Sequence, residues 1–165
     1  AIVITNDVSA RDVQIPETQF FKGKSYRTFC PVGPYLCLLD QASIHYLNEL
    51  NLVLKVNGEI RQQDNTENLV FKPVETLTEL SNFSDLDVGD LVLTGTPSGC
   101  AFRVPSPIIV KLFSLLPESI RWKQFKRIQG KRSQYLKYDD HIEAHIHSSD
   151  QKVNLGYQQN RIIDV

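Results

Sequence analysis

Methionine is absent from this 165-residue chain, tryptophan occurs once and cysteine only three times. The three thiols, Cys30, Cys37 and Cys100, are odd in number, widely spaced and without a C-x-x-C pair. That pattern argues against a disulfide framework and predicts free thiols in a reducing cytoplasm. No apolar run approaches the roughly 20 residues that cross a bilayer. No basic-then-apolar signal segment opens the sequence. A surplus of either charge is missing too: eighteen Lys and Arg face nineteen Asp and Glu, for a net charge of −1. Bulk charge therefore predicts neither a nucleic acid nor a membrane partner. What remains is 41% hydrophobic and 22% charged, a composition that suits one globular domain. With no Met and a strand-like run, Ala1-Ile2-Val3-Ile4-Thr5, at its start, the chain reads as a single, truncated domain over 1–165.

Strand signals dominate. Leu52-Val53-Leu54-Lys55-Val56 meets Asn57-Gly58, a strong hairpin signal, and continues as Glu59-Ile60-Arg61-Gln62. Leu69-Val70-Phe71 is a further short run. Leu91-Val92-Leu93-Thr94 reads as a strand fed by the turn Asp87-Val88-Gly89-Asp90 and followed by a Gly/Pro-rich loop at 95–99. Late strands are expected in the alternating 141–147 and in 153–157. A helix with Pro near its start is expected over 73–83, where Val74, Leu77 and Leu80 recur at helical spacing. Residues 104–133 differ in composition, and 121–137 carries seven basic residues and no acid. Outside that run eleven Lys and Arg face all nineteen acids, so 104–133 reads as a helical insertion between two strands. The fold class is mainly β with helices (α+β).

The densest polar cluster, Asn6-Asp7-Val8-Ser9-Ala10-Arg11-Asp12-Val13-Gln14, directly follows an apolar run. Asp7 has the chemistry of a hard metal ligand, and Arg11 that of a bidentate carboxylate clamp. A strand-end turn with an Arg–Asp surface pair explains the same residues, and by themselves they favour it. In 22–34, Gly23-Lys24-Ser25 lacks the spacing of a phosphate-binding loop. Lys24 is either a cation that steadies a developing enolate or a solvated loop residue. His141, Glu143, His145 and His147 share one strand face; zinc would use such residues, but a solvated face is the better reading. Cys30 reads as a structural thiol. The basic run with Trp122, Phe125 and Tyr135 reads as a solvated helix or an oligomer contact before a nucleic-acid surface.

Taken together, residues 6–14, Gly23-Lys24-Ser25-Tyr26 through Pro34, Val56 through Gln62, and Val88 through Gly99 resemble the fumarylacetoacetate hydrolase family in order and spacing. The 135–165 stretch is similar to the family's closing strands. The resemblance implies a mixed β-roll, or pseudobarrel, that is commonly a homodimer. It also implies a divalent metal, Mg²⁺, Mn²⁺ or Ca²⁺, and a small 2-oxo or diketo acid as substrate. Asp7 matches the family's metal-binding Asp, Arg11 and Gln14 match substrate-pocket positions, and Lys24 matches its active-site Lys. Thr28 lies beside Lys24 in the same phrase, and Thr96 matches a substrate-contacting Thr. The activity implied is metal-dependent hydrolysis of carbon–carbon bonds in acylpyruvate-type acids, with isomerisation or decarboxylation of 2-oxo or 2-hydroxydienoate acids in aromatic catabolism as the alternative. One departure matters: the family's Glu-x-Glu metal ligands have no counterpart in this sequence. The chain is thus expected to hold part of the metal site and to bind Mg²⁺ or Mn²⁺ poorly. A non-catalytic fragment, or a degenerate binding member, is the alternative of another class.

Overall fold

A computed structural model describes residues 1–17, 19–102, 116–130 and 132–163. Its centre is a four-stranded, fully antiparallel sheet in the order β2-β1-β3-β4. The strands are β1 (Leu50–Val56), β2 (Glu59–Asn65), β3 (His141–Ser148) and β4 (Asn154–Arg161). Together with helices they make an α+β fold.

The first hairpin follows from its turn. Asn57 and Gly58 both adopt positive φ, +52° and +81°, the pair that a type I′ turn requires. The Asn57 side chain then ties the turn to β3: its Nδ2 donates to Asp140 Oδ1 at 2.8 Å, and its Oδ1 accepts from the His141 amide at 2.9 Å. This lock sets the β1–β3 register, in which Val56 faces Ile142 and Leu54 faces Ala144. The alternation of β3 is as its sequence predicts, with Ile142, Ala144 and Ser148 buried. On the other face His145 stacks between His147 and Tyr157, at 4.5 and 4.2 Å.

Ile4, Leu50, Ala144, Val153 and Leu155 form the buried core, with Ile2, Cys37, Leu39, Tyr46, Leu54 and Ile146 packed around it. Burying Ile4 and Leu155 contributes about 1.5–3 kcal/mol each. The first residues do not make a regular strand. They are fastened by two isolated bridges, Ile2 to Cys37 and Thr5 to Val32. All three cysteines are free thiols.

Two short helices, α1 (Arg11–Gln14) and α2 (Phe21–Lys24), follow the N-terminal segment. Helix α3 (Pro73–Ser81) begins at Pro73, where the missing N–H costs nothing. Glu75 caps it by accepting from the Lys72 amide at 2.8 Å. Helix α4 (Glu118–Gln129) lies in the basic stretch. Residues 104–115 and 131 of the expected 104–133 insertion are outside the described residues. The strand expected at 91–94 does not form, nor does one at 69–71. Leu91 and Leu93 stay exposed, without a ladder partner among the described residues, and apolar character alone does not make a strand. No helix among the described residues is long and apolar enough to cross a membrane.

The β3–β4 turn carries a coupled acid group. Asp150 accepts from the Ser148 hydroxyl and from the Tyr46 hydroxyl, both at 2.6 Å. These bonds, Ser148 first, hold the Asp150 carboxyl well below the usual carboxylate range, while Asp150 pushes Tyr46 up to about 12. The depressed carboxyl stabilises the fold above its unfolded value near 3.8, and that contribution is lost as pH falls further. The Tyr46 contribution is present below pH 10 and is lost as pH rises toward 12. Thermal melts are therefore expected to show a shallower loss of stability on acidification in Asp150→Asn than in the unaltered chain. Parallel acid limbs would show that this turn does not contribute.

Candidate active site

The cleft is built where the N-terminal polar cluster meets the sheet. It encloses about 610 Å³ and is lined by residues 6–12, Phe29, Arg61, Gln62, Cys100 and one side of α4 through Phe125, Lys126 and Gln129. Asp7 and Arg11 are both in that lining.

Glycine explains how Lys24 reaches Asp7. Helices α1 and α2 touch at Gly23, where an added Cβ would fall 2.7 Å from Gln14 Cβ. The Ala10 amide also donates to the Gly23 carbonyl at 2.8 Å. With the two helices this close, the Lys24 ammonium forms an ion pair with the Asp7 carboxylate, both groups about 30% exposed. Arg11 donates through Nη1 to Gln14 Oε1, and its guanidinium lies 5.9 Å from the Phe102 ring centre. Gln14 is buried beneath it. Phe102 continues to Phe125 at 6.3 Å, and Phe125 to Trp122 edge-on at 5.7 Å. An aromatic row thus links Arg11 to α4. Tyr135, whose hydroxyl donates to Gln129 Oε1 at 3.0 Å, closes the same side; burial pushes that hydroxyl up, against the opposing pull of Arg132 and Arg11.

Four of the residues singled out in the sequence, Asp7, Arg11, Gln14 and Lys24, are therefore neighbours. Thr28 is exposed with φ +71°, an uncommon value for a β-branched residue. Thr96 is exposed and outside the cleft lining. A hard divalent ion takes about six oxygens, and Asp7 supplies at most two of them. Among the described residues no group of three or more His, Cys, Asp or Glu is placed to hold an ion. The described residues do not make up a ligand set for such an ion.

One residue escaped sequence reasoning. Gln158, buried in β4, donates through Nε2 toward the carbonyls of Ile4 (3.2 Å), Pro31 (3.1 Å) and Gly33 (2.9 Å). It joins the segment that leads into Asp7 to the end of the phrase that carries Lys24. On the far wall, Gln62 Nε2 approaches Cys100 Sγ at 3.5 Å. Gly99 meets β2 so closely that an added Cβ would fall 2.0 Å from the Arg61 carbonyl oxygen.

The fumarylacetoacetate (FAA) hydrolase C-terminal family matches residues 1–163. The chain belongs to this family. It is 43% identical over 111 residues to the oxaloacetate tautomerase FAHD2A, mitochondrial, of Bos taurus, covering 66% of this chain and 34% of that protein. It is also 43% identical over 96 residues to the oxaloacetate tautomerase YisK of Bacillus subtilis, covering 58% of this chain and 31% of that protein. A solved fumarylacetoacetate hydrolase from Exiguobacterium antarcticum superposes with a TM-score of 0.70 at 29% identity, over 99% of this chain and 46% of that one. The family is of hydrolase and isomerase type, and its members generally use divalent metals. The chain spans about a third of the length of these curated relatives.

Losing the Gln158 amide removes its donor from the carbonyls of Ile4, Pro31 and Gly33, of which the first two keep a backbone N–H partner. Gln158→Leu is expected to lower unfolding free energy by about 1–3 kcal/mol in urea titrations. Gln158→Glu, which turns a carboxylate toward those carbonyls, is expected to cost more. A Glu variant as stable as the parent would refute this role.

Proposed function

We propose that this domain acts on the enol and enolate forms of small 2-oxo acids, with keto–enol tautomerisation as its reaction. The supporting observation is that Asp7 and Arg11 line one cleft and that Lys24 pairs with Asp7 at its edge. Arg11 takes the substrate carboxylate, a planar group that suits its fork. Tautomerisation moves one proton between C3 and the 2-oxygen. As Lys24 turns to the 2-oxygen and protonates it, Asp7 is freed to take a proton from C3. The ion pair then returns that proton from the Asp7 carboxyl to Lys24, so both groups end as they began. Gln14 holds Arg11 in place from beneath.

The relatives named as oxaloacetate tautomerases make oxaloacetate the first substrate to try. Carbon–carbon hydrolysis of an acylpyruvate is the second reading, supported by the likeness to a fumarylacetoacetate hydrolase. It passes through the same stabilised carbanion, which Lys24 would hold. The long apolar side chains Val70, Phe71, Val74 and Phe83 are exposed, which supports a homodimer that would cover them.

Decay of enol-oxaloacetate, followed by ultraviolet absorbance, tests the main reading, and release of pyruvate from an acylpyruvate tests the second. Lys24→Ala and Asp7→Ala are each expected to lower kcat by about 10²-fold or more, and Arg11→Ala is expected chiefly to raise KM. Neither reaction being accelerated would sink the enzymatic reading and leave a non-catalytic binding role.

A further inference from the structure

Arg61 is the residue of β2 that the ladder steps over: Leu54 pairs with Gln62, and Lys55 with Ile60. A bulge re-aims the extra side chain and breaks strand alternation. Neighbours in an unbroken strand point to opposite faces, yet Arg61 and Gln62 both line the cleft with Asp7 and Arg11. The Arg61 Nε is buried and has no hydrogen-bond partner among the described residues. Its Nη2 has only a loose contact, 3.8 Å, with Glu59, whose side chain is 79% exposed. The other acid near it, Asp140, is already engaged by the Lys137 amide and by Asn57 Nδ2, both at 2.8 Å. Arg11, by contrast, is braced by Gln14 and Phe102. The second guanidinium of the cleft thus retains donors that a planar, doubly accepting anion would satisfy.

We infer that Arg61 is a second anion-binding residue of the cleft, taking the distal carboxylate of a dicarboxylic 2-oxo acid whose first carboxylate sits on Arg11. The assignment rests on the reading of Arg11 given above and names the substrate as a diacid. A volume of about 610 Å³ accommodates a small diacid between the two. The bulge puts Arg61 in the cleft lining beside Gln62, and the Nε without a partner among the described residues supplies the demand for an acceptor.

Isothermal titration with succinate and butyrate, a diacid and a monoacid of equal chain length, tests this without turnover. The unaltered chain is expected to bind succinate about tenfold tighter than butyrate, or better. Arg61→Gln is expected to remove that preference and leave butyrate binding unchanged. Arg61→Lys, which keeps the charge but loses the fork, is expected to retain only part of it, and it serves in place of Arg61→Gln if that variant does not fold. The assignment is overturned by equal loss of both probes in a folded variant, by undiminished succinate preference in Arg61→Lys, or by no preference in the unaltered chain. Neither probe tautomerises, so an Arg61-dependent preference without any turnover would sink the catalytic reading alone.

Discussion

A carboxamide nitrogen has two hydrogens, yet that of Gln158 faces three carbonyl oxygens. The orientation is forced: turned over, its oxygen would be set against three others. Among the described residues its own Oε1 is left buried without a partner. Ile4 lies three residues ahead of Asp7, and Pro31 and Gly33 close the loop that begins at Lys24. One side chain on the last strand therefore gathers both segments that carry the ion pair. Gly33 N–H to Ile4 C=O and Asn6 N–H to Pro31 C=O reinforce the same junction, at 3.0 and 3.3 Å. The regular sheet passes its rigidity to an otherwise irregular site through this point.

Much of the scaffold is legible in the residues. Asn57-Gly58 announces its hairpin, Pro73 starts its helix, and the alternation of His141 through His147 assigns the faces of β3. The Asp7–Lys24 proximity is not written in any local period. It comes from the fit of Gly23 on Gln14, and only the resemblance of whole phrases to a known family anticipated it. Gln158 was hidden for a different reason. Leu155 and Gln158 are both buried although strict alternation would oppose them. Gly156, at φ +70°, and a register shift opposite it break the period between the two. Arg61 is hidden likewise, because a bulge is a mismatch between two strands and belongs to neither sequence alone. The apolar run at 91–94 shows the converse: residues fit for a strand form none where no strand among the described residues pairs with them.

The basic helix has a role in the cleft's architecture that charge counting did not suggest. Phe125, Lys126 and Gln129 turn toward Asp7 and Arg11, and the row Trp122, Phe125, Phe102 backs the Arg11 guanidinium. A cation over an aromatic face gains most when water is excluded. The helix thereby supplies both a wall and part of the electrostatic setting of the proposed carboxylate anchor.

Gly99 touches the carbonyl of Arg61 where no side chain has room, and its φ of +109° disfavours one as well. Gly89 and Gly95 also have positive φ but face open space. Substitution at either of those meets only a conformational cost that a tolerant loop can absorb. At 99 every replacement must push the loop off β2, moving Cys100 and Ala101 together. Room for side chains in this loop thus lies in its outer half, and the depth of the cleft beside Arg61 is set by a position where only glycine fits without a shift.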